Sequence, residues 1–460
     1  MGPLFLDLSK SHRIIEPKRE HQDRRMSNPS AAKVLRSAGL LVTVFILALI
    51  AWIPRLLTPP NAQDGDMLFE QTAQQILCGV GPITGWPIND EAIGETLGTF
   101  APTLPMYLVA RSACTMADVL PVNGLQAFLI IGIGLTVLIT YVASRAVGLG
   151  IRPSLLISYG LATAPSSFSR FGHLQLSQLW AVMPCIAVCA LLIARENYPS
   201  NTRGRFDRAG FAGLGMGALS FTGQEYYGVF SILCVMACHA VGCAMSAREA
   251  NKRLHLSNAE SAEKHTYINR FQYTKIAAGY ATAMVAYLTS KQILWNIPEW
   301  AHQATGRSAT EQFMYGFWPS NIITSPLINR GLREVFTTRN HLPVTETPFN
   351  SSSGILVIAA LALSLHCWIK GARSGRDCGL KNEEFVMAFG GVLITTIAIA
   401  CIVATSGGLG TLFAVLVSPQ LRALNRITPY FYCAALVICA IRFDEIISAI
   451  IKRSAREGRL

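Results

Sequence analysis

Charge is scarce in this chain. Only 14% of its 460 residues are Asp, Glu, Lys or Arg, against 51% hydrophobic. Soluble domains carry about a quarter charged residues, and the mean hydropathy here is +0.37, so a soluble globular fold is excluded. Acids are scarcer than bases, 27 against 39, which leaves a formal net charge of +12. In so apolar a chain the excess bases mark cytoplasmic loops rather than nucleic-acid binding. The 12 cysteines include no CxxC pair and no Cys/His cluster at metal-ligand spacing, which excludes a structural zinc or CxxC redox motif. Most of them, such as Cys185, Cys189, Cys234, Cys238, Cys401, Cys433 and Cys439, fall in apolar segments and behave there as small hydrophobes. No phosphate loop, dinucleotide loop or zinc-protease motif stands in a supporting context. Internal repeats and low-complexity stretches are absent too. No short apolar segment with a small-residue cleavage site follows the polar start, so the reading is that no signal peptide is removed.

What the chain has is apolar runs of about 20 residues, the length that crosses a bilayer as a helix. They predict an all-α, polytopic transmembrane bundle of about ten spans, near 38–57, 124–144, 154–171, 174–194, 209–223, 226–247, 275–294, 354–370, 385–405 and 427–443. The span at 209–223 is short and Gly-rich, which suits close packing on a neighbour. The apolar piece 409–418 is too short to cross and reads as re-entrant or interfacial. Large loops follow spans 1 and 7, at 58–123 and 295–353. The domain plan is a basic, disordered N-terminus over 1–36, a membrane domain over 37–443 and a tail over 444–460.

Basic residues orient the bundle. With the N-terminus inside, the segments 1–36, 145–153, 195–208, 248–275, 370–384 and 442–460 are cytoplasmic and hold 29 of the 39 Lys and Arg. Loop 58–123 holds one base against seven acids. Both termini are therefore expected inside and both large loops outside. Within the first loop, 66–78 reads as a helix, and 104–120 could lie along the membrane surface. Cys78 and Cys114 are the cysteines of the outer loops and could pair if those loops face an oxidising compartment.

Ionisable residues at membrane depth are functional candidates, each with a plainer reading beside it. Asp64-Gly65-Asp66 follows the first span at the outer surface. Its carboxylates could share a divalent metal, or one could take a proton; equally, Asp66 would cap the next helix. Arg170 and His173 lie in a tight outer turn. Arg can hold a phosphate and His can exchange a proton, or they anchor and cap. Glu225 stands between apolar helices, with Arg170 as its candidate partner; the plainer reading is a structural ion pair. Tyr226 and Tyr227 suit an aromatic belt, and Lys291 suits snorkelling. Arg307, Glu311 and Tyr315 share one helix face, and Asn329-Arg330 follows in the same loop. Arg422 and Arg426 are four apart, so they project from one helix face as a phosphate clamp or an interfacial anchor. If 409–418 crossed the membrane, these two would be ordinary inside charges.

Several stretches together carry a resemblance. They are Gly65-Asp66-Met67, Gly85-Trp86-Pro87-Ile88-Asn89, Arg170-Phe171-Gly172-His173, Ser308-Ala309-Thr310-Glu311 leading to Tyr315-Gly316, and Gly407-Gly408-Leu409-Gly410 through Arg422-Ala423-Leu424-Asn425-Arg426. Spread over about 60–440, they resemble the GT-C superfamily, the integral-membrane glycosyltransferases that use polyprenyl-phosphate-linked sugars, in its bacterial polytopic branch. The resemblance implies a GT-C-like fold in the bacterial cytoplasmic membrane, with the active site at its outer face. Asp64 or Asp66 would act on the acceptor hydroxyl. The outer arginines would hold the donor phosphate, with Asn89, Arg170, His173, Glu225, Glu311, Arg422 and Arg426 as the substrate-binding set. The partners implied are the bilayer, a polyprenyl-phosphate sugar and a glycan, lipid or protein acceptor, with no nucleic acid. No cofactor is required beyond a possible divalent metal. The chain departs from the pattern at Thr103-Leu104-Pro105, where a second acid is expected. Two other functions fit a polytopic chain. A lipid-linked-oligosaccharide or solute transporter would carry ionisable residues at mid-membrane and internal repeats, neither of which is seen. A non-catalytic subunit of envelope-glycan assembly would fit the missing acid.

Overall fold

In hydrocarbon every backbone N–H and C=O must find a partner within the protein, which restricts apolar chains to helices or closed barrels. In this computed structural model every element among the described residues is helical. The structure describes residues 31–56, 104–164, 179–194, 225–254, 274–283, 354–374, 381–405, 408–416 and 424–456, with positions 213, 215, 217, 285 and 286. The helices are α1 (Ala31–Leu56), α2 (Leu104–Val119), α3 (Gly124–Ala146), α4 (Ile151–Ala162), α5 (Val182–Ile193), α6 (Glu225–Leu254), α7 (Gly354–Ser374), α8 (Lys381–Ile399), α9 (Leu409–Leu416) and α10 (Thr428–Arg456). A π-helical turn, Ala400–Ala404, continues α8, and a 3-10 turn, Leu424–Ile427, leads into α10. Residues 213, 215, 217, 274–283, 285 and 286 are also helical. The chain forms two compact units, Met1–Gly39 and Leu40–Leu460. Of the first, residues 31–39 are described and make the opening turns of α1, upstream of the span expected at 38–57.

Four stretches are long and apolar enough to cross a membrane: Leu35–Pro54, Gln126–Ala146, Tyr227–Arg248 and Phe385–Ala404. Val182–Ile193 and Ile355–Lys370 are shorter apolar helices. Of the other expected spans, 427–443 is described and lies almost wholly in α10, while 154–171, 209–223 and 275–294 fall partly outside the described residues. Helix α9 has 8 residues, about 12 Å of rise, far short of a hydrocarbon core of about 30 Å. It does not cross. Leu409, Leu412, Val415 and Leu416 are exposed along it while Thr411 is buried, so one apolar face is left for lipid.

Helix α5 is the centre. It is apolar all round, as a fully enclosed helix must be. Every residue of it except Leu191 is buried, against α3, α6, α8 and α10. Helix α10 packs in turn on α4, α5, α7 and α8. Cys185 and Cys189 of α5 and Cys234 and Cys238 of α6 are all buried free thiols, where the apolar reading placed them. Cys401 differs, being exposed on the π turn.

Small residues set how closely the helices approach. A Cβ on Gly160 would lie 2.8 Å from the Leu436 side chain, and one on Gly390 would lie 2.7 Å from Ser364. Gly213 is the extreme case, with a Cβ there 2.4 Å from the Ile276 carbonyl oxygen. One helical turn on, Gly217 meets Ala283 at 2.9 Å. This is the small-residue crossing that lets membrane helices touch backbone to backbone, and it matches the close packing expected of 209–223.

One end of the bundle gathers charge. Lys370 of α7 meets Glu383 of α8 at 2.5 Å, and Arg152 of α4 faces Asp444 of α10 at 3.8 Å. Arg442 donates to Glu445 on the next turn and also contacts Cys367 Sγ. At this end α3 closes on Gly148, whose φ of +94° suits glycine, with Gly148 N donating to Arg145 O and Leu149 N to Ser144 O. That double bond pattern satisfies the last carbonyls of the helix. The charged residues of these pairs fall in segments that the positive-charge count expects in the cytoplasm.

Gly213→Ala should destabilise the protein by about 1–3 kcal/mol, because neither side of that contact can yield without moving backbone. Gly215→Ala, two residues away with nothing within 4 Å of its Cβ, should be neutral or stabilising, by up to about 1 kcal/mol through helix propensity. Thermal unfolding in detergent compares the two directly.

Candidate functional site

The opposite end of the bundle is tied, among the described residues, by hydrogen bonds from neutral side chains to helix ends. Trp52 Nε1 of α1 donates to the carbonyl of Ala162, the last residue of α4, at 2.9 Å. Asn123 caps α3: its side chain accepts from Gln126 N at 2.8 Å while Gln126 Oε1 accepts from Asn123 N at 3.0 Å. The same Gln126 side chain donates through Nε2 to the carbonyl of Leu56, the last residue of α1, at 2.8 Å. One amide thus satisfies orphan groups at two helix ends.

The starts of α6 and α10 meet at Tyr227, Ser231 and Tyr430. Tyr430 Oη donates to the Tyr227 carbonyl at 2.5 Å, and Ser231 Oγ donates to the same carbonyl at 2.5 Å. The two hydroxyls are 2.9 Å apart. Both tyrosines are fully buried, and their rings sit tilted at 6.4 Å with Phe230 edge-on to Tyr430. Tyr227 is therefore part of a buried junction rather than a headgroup-level aromatic belt. The expectation failed because amphipathic rings suit both settings.

This junction fixes where two of the sequence candidates fall. Glu225 opens α6, two residues before Tyr227. Arg426 sits in the 3-10 turn, which packs against α6, α10 and the π turn that ends α8. Arg426 is buried, with 7% of its surface exposed. The structure brings the segments carrying Glu225 and Arg426 to one end of the bundle. A 3-10 turn has three residues per turn, so Arg426 does not sit in the α-helical register from which a shared face with Arg422 was read. Asp64, Asp66, Asn89, Arg170, His173, Glu311 and Arg422 lie outside the described residues. So do Lys291, Arg307, Tyr315 and Arg330. Among the described residues no group of three or more His, Cys, Asp or Glu is placed to hold a metal ion. The metal considered at Asp64 and Asp66 falls elsewhere in the chain.

No family model matches the sequence, and no curated protein matches it. Among solved structures, the fold is similar to the crystal structure of the oligosaccharyltransferase of Archaeoglobus fulgidus in complex with zinc and sulfate, at 15% identity and a TM-score of 0.40. The match covers 90% of this chain and 50% of that one, so the chain spans about half the length of its structural neighbour.

Tyr430→Phe removes the hydroxyl that joins α10 to α6 and leaves its ring in place. The expected cost is about 1 kcal/mol, read as a lower midpoint in detergent unfolding. Tyr432→Phe is the control, because its hydroxyl makes only a 3.4 Å contact with Gly160 O and should be near neutral.

Proposed function

We propose that this chain is a membrane glycosyltransferase that moves a sugar from a polyprenyl-phosphate donor to a glycan, lipid or protein acceptor at the outer face. The observation that carries the reading is Arg426, a guanidinium withdrawn from solvent at the start of α10 and packed beside the start of α6. The N-terminus of a helix is the positive end of its dipole. An arginine placed there adds to that positive charge instead of opposing it, and the combined field favours an anion. A phosphate held at the membrane boundary is the anion that a lipid-linked donor presents. The resemblance of the surrounding sequence, Gly407 through Arg426, points to the same donor class.

In the proposed reaction Asp64 or Asp66 removes the proton from the acceptor hydroxyl. The acceptor oxygen attacks the anomeric carbon from the face opposite the phosphate, the glycosyl–phosphate bond breaks, and the sugar is transferred with inversion. The lipid phosphate leaves with the bonding electron pair and an added negative charge, which Arg426, with Arg422 and Arg170, would stabilise. Asn89, His173, Glu225 and Glu311 would position donor and acceptor. A divalent metal at the aspartates would serve to bind phosphate oxygens.

Transfer from a labelled polyprenyl-phosphate sugar in membranes, with expression measured in parallel, tests this. Changing the base among Asp64 and Asp66 to Asn should lower the rate by about 10²–10⁴. Asn caps a helix as well as Asp does, so a capping role alone would leave activity intact. Arg426→Lys should weaken donor use more than acceptor use, since an ammonium cannot make the planar bidentate contact. Full activity in both Asp→Asn variants would sink the mechanism.

A further inference from the structure

Cys114 is disulfide-bonded. It lies on α2, whose stripe of Ala110, Ala113 and Cys114 is buried, and α2 packs on α3. Nine other cysteines are free thiols: Cys185, Cys189, Cys234, Cys238, Cys243, Cys367, Cys401, Cys433 and Cys439. The two that remain in the sequence, Cys78 and Cys378, lie outside the described residues. One of them is the partner, and the topology chooses between them.

Cys378 falls between the end of α7 at Ser374 and the start of α8 at Lys381. That hairpin belongs to the charged end of the bundle, where Lys370 meets Glu383 and Arg442 contacts Cys367. The Arg152–Asp444 pair brings the start of α4, just past the end of α3, to the same end. Cys114 is near the other end. Helix α2 stops at Val119 and the chain turns at once into the start of α3 at Gly124. Helix α3 has 23 residues, about 35 Å of rise, and runs from that turn to the charged end. Cys114, packed five residues back along it, is about 20 Å or more from the α7–α8 hairpin. Six linking residues held at both ends reach out about 10 Å, and a disulfide needs Cα atoms within about 7 Å.

We propose that Cys114 is bonded to Cys78, closing the segment 79–113 and tying it to α2, and that this loop therefore lies in an oxidising, extracytoplasmic compartment. Each thiol gives up a proton. The two electrons pass to the disulfide of a thiol oxidase of that compartment, which is reduced to its dithiol, and the S–S bond forms. Such bonds persist outside the cytoplasm and are rare within it. The inference orients the bundle independently of the distribution of Lys and Arg, and it gives the same answer. It does not depend on the proposed enzymatic activity.

The test uses the full chain in its native membrane. Free thiols are alkylated in denaturant, the protein is digested with trypsin, and linked peptides are identified by mass before and after reduction. Cleavage at Arg55, Arg111 and Arg145 separates a peptide 56–111 with Cys78 from a peptide 112–145 with Cys114. Those two should appear joined and should separate on reduction. An alkylated Cys114 in the wild-type chain, or its joining to the peptide 377–381 that carries Cys378, would overturn the proposal. As a second readout, Cys78→Ser should make Cys114 alkylatable, and Cys378→Ser should leave it protected. Protection of Cys114 in the Cys78→Ser chain would overturn it equally.

Discussion

A buried hydroxyl must place its proton, and at the meeting of α6 and α10 two hydroxyls share one carbonyl. Tyr430 and Ser231 both donate to Tyr227 O, which already belongs to the first turn of a helix. Both protons go to the one carbonyl, so each hydroxyl is satisfied only while it stays beside Tyr227 O. An unsatisfied polar group costs about 1–3 kcal/mol in a protein interior and has no water to turn to in a bilayer. The junction therefore fixes the start of α10 against the start of α6, and the turn bearing Arg426 is carried with it. The enclosed position of that arginine follows from this constraint.

The two ends of the bundle are held by different chemistry. At one end Lys370–Glu383, Arg152–Asp444 and Arg442–Glu445 link α4, α7, α8 and α10 through ion pairs. At the other, the Trp52 indole, the Gln126 amide and the Tyr430 hydroxyl reach backbone carbonyls of neighbouring helices. Between them lies α5, which contributes apolar surface alone. That contrast distinguishes the two ends of the bundle among the described residues.

Much of this was legible in the sequence, for identifiable reasons. Helix positions followed from apolar runs, because hydrocarbon admits few alternatives. The shortness of the helix at 409–416 followed from the length of its apolar run, and the close approach at Gly213 and Gly217 followed from residue size. The ion pairs of one end fall in segments rich in Lys and Arg. The junction was not legible. Tyr227 and Tyr430 are 203 residues apart, and nothing local shows that their hydroxyl and carbonyl meet. The double role of Gln126, capping its own helix and donating to Leu56, was hidden in the same way. Most of the proposed site, including Asp64, Asp66, Arg170 and His173, lies outside the described residues and stands on its sequence pattern.

The central claim is that the bundle has one direction, with the end bearing Arg426 and both large loops outside. Single cysteines introduced at Asp90, Asn340 and Glu260 and challenged with a membrane-impermeant maleimide test it most directly. The account predicts labelling of the first two in intact cells and of the third only after permeabilisation. Labelling of the Glu260 position from outside would reverse the bundle and contradict the account.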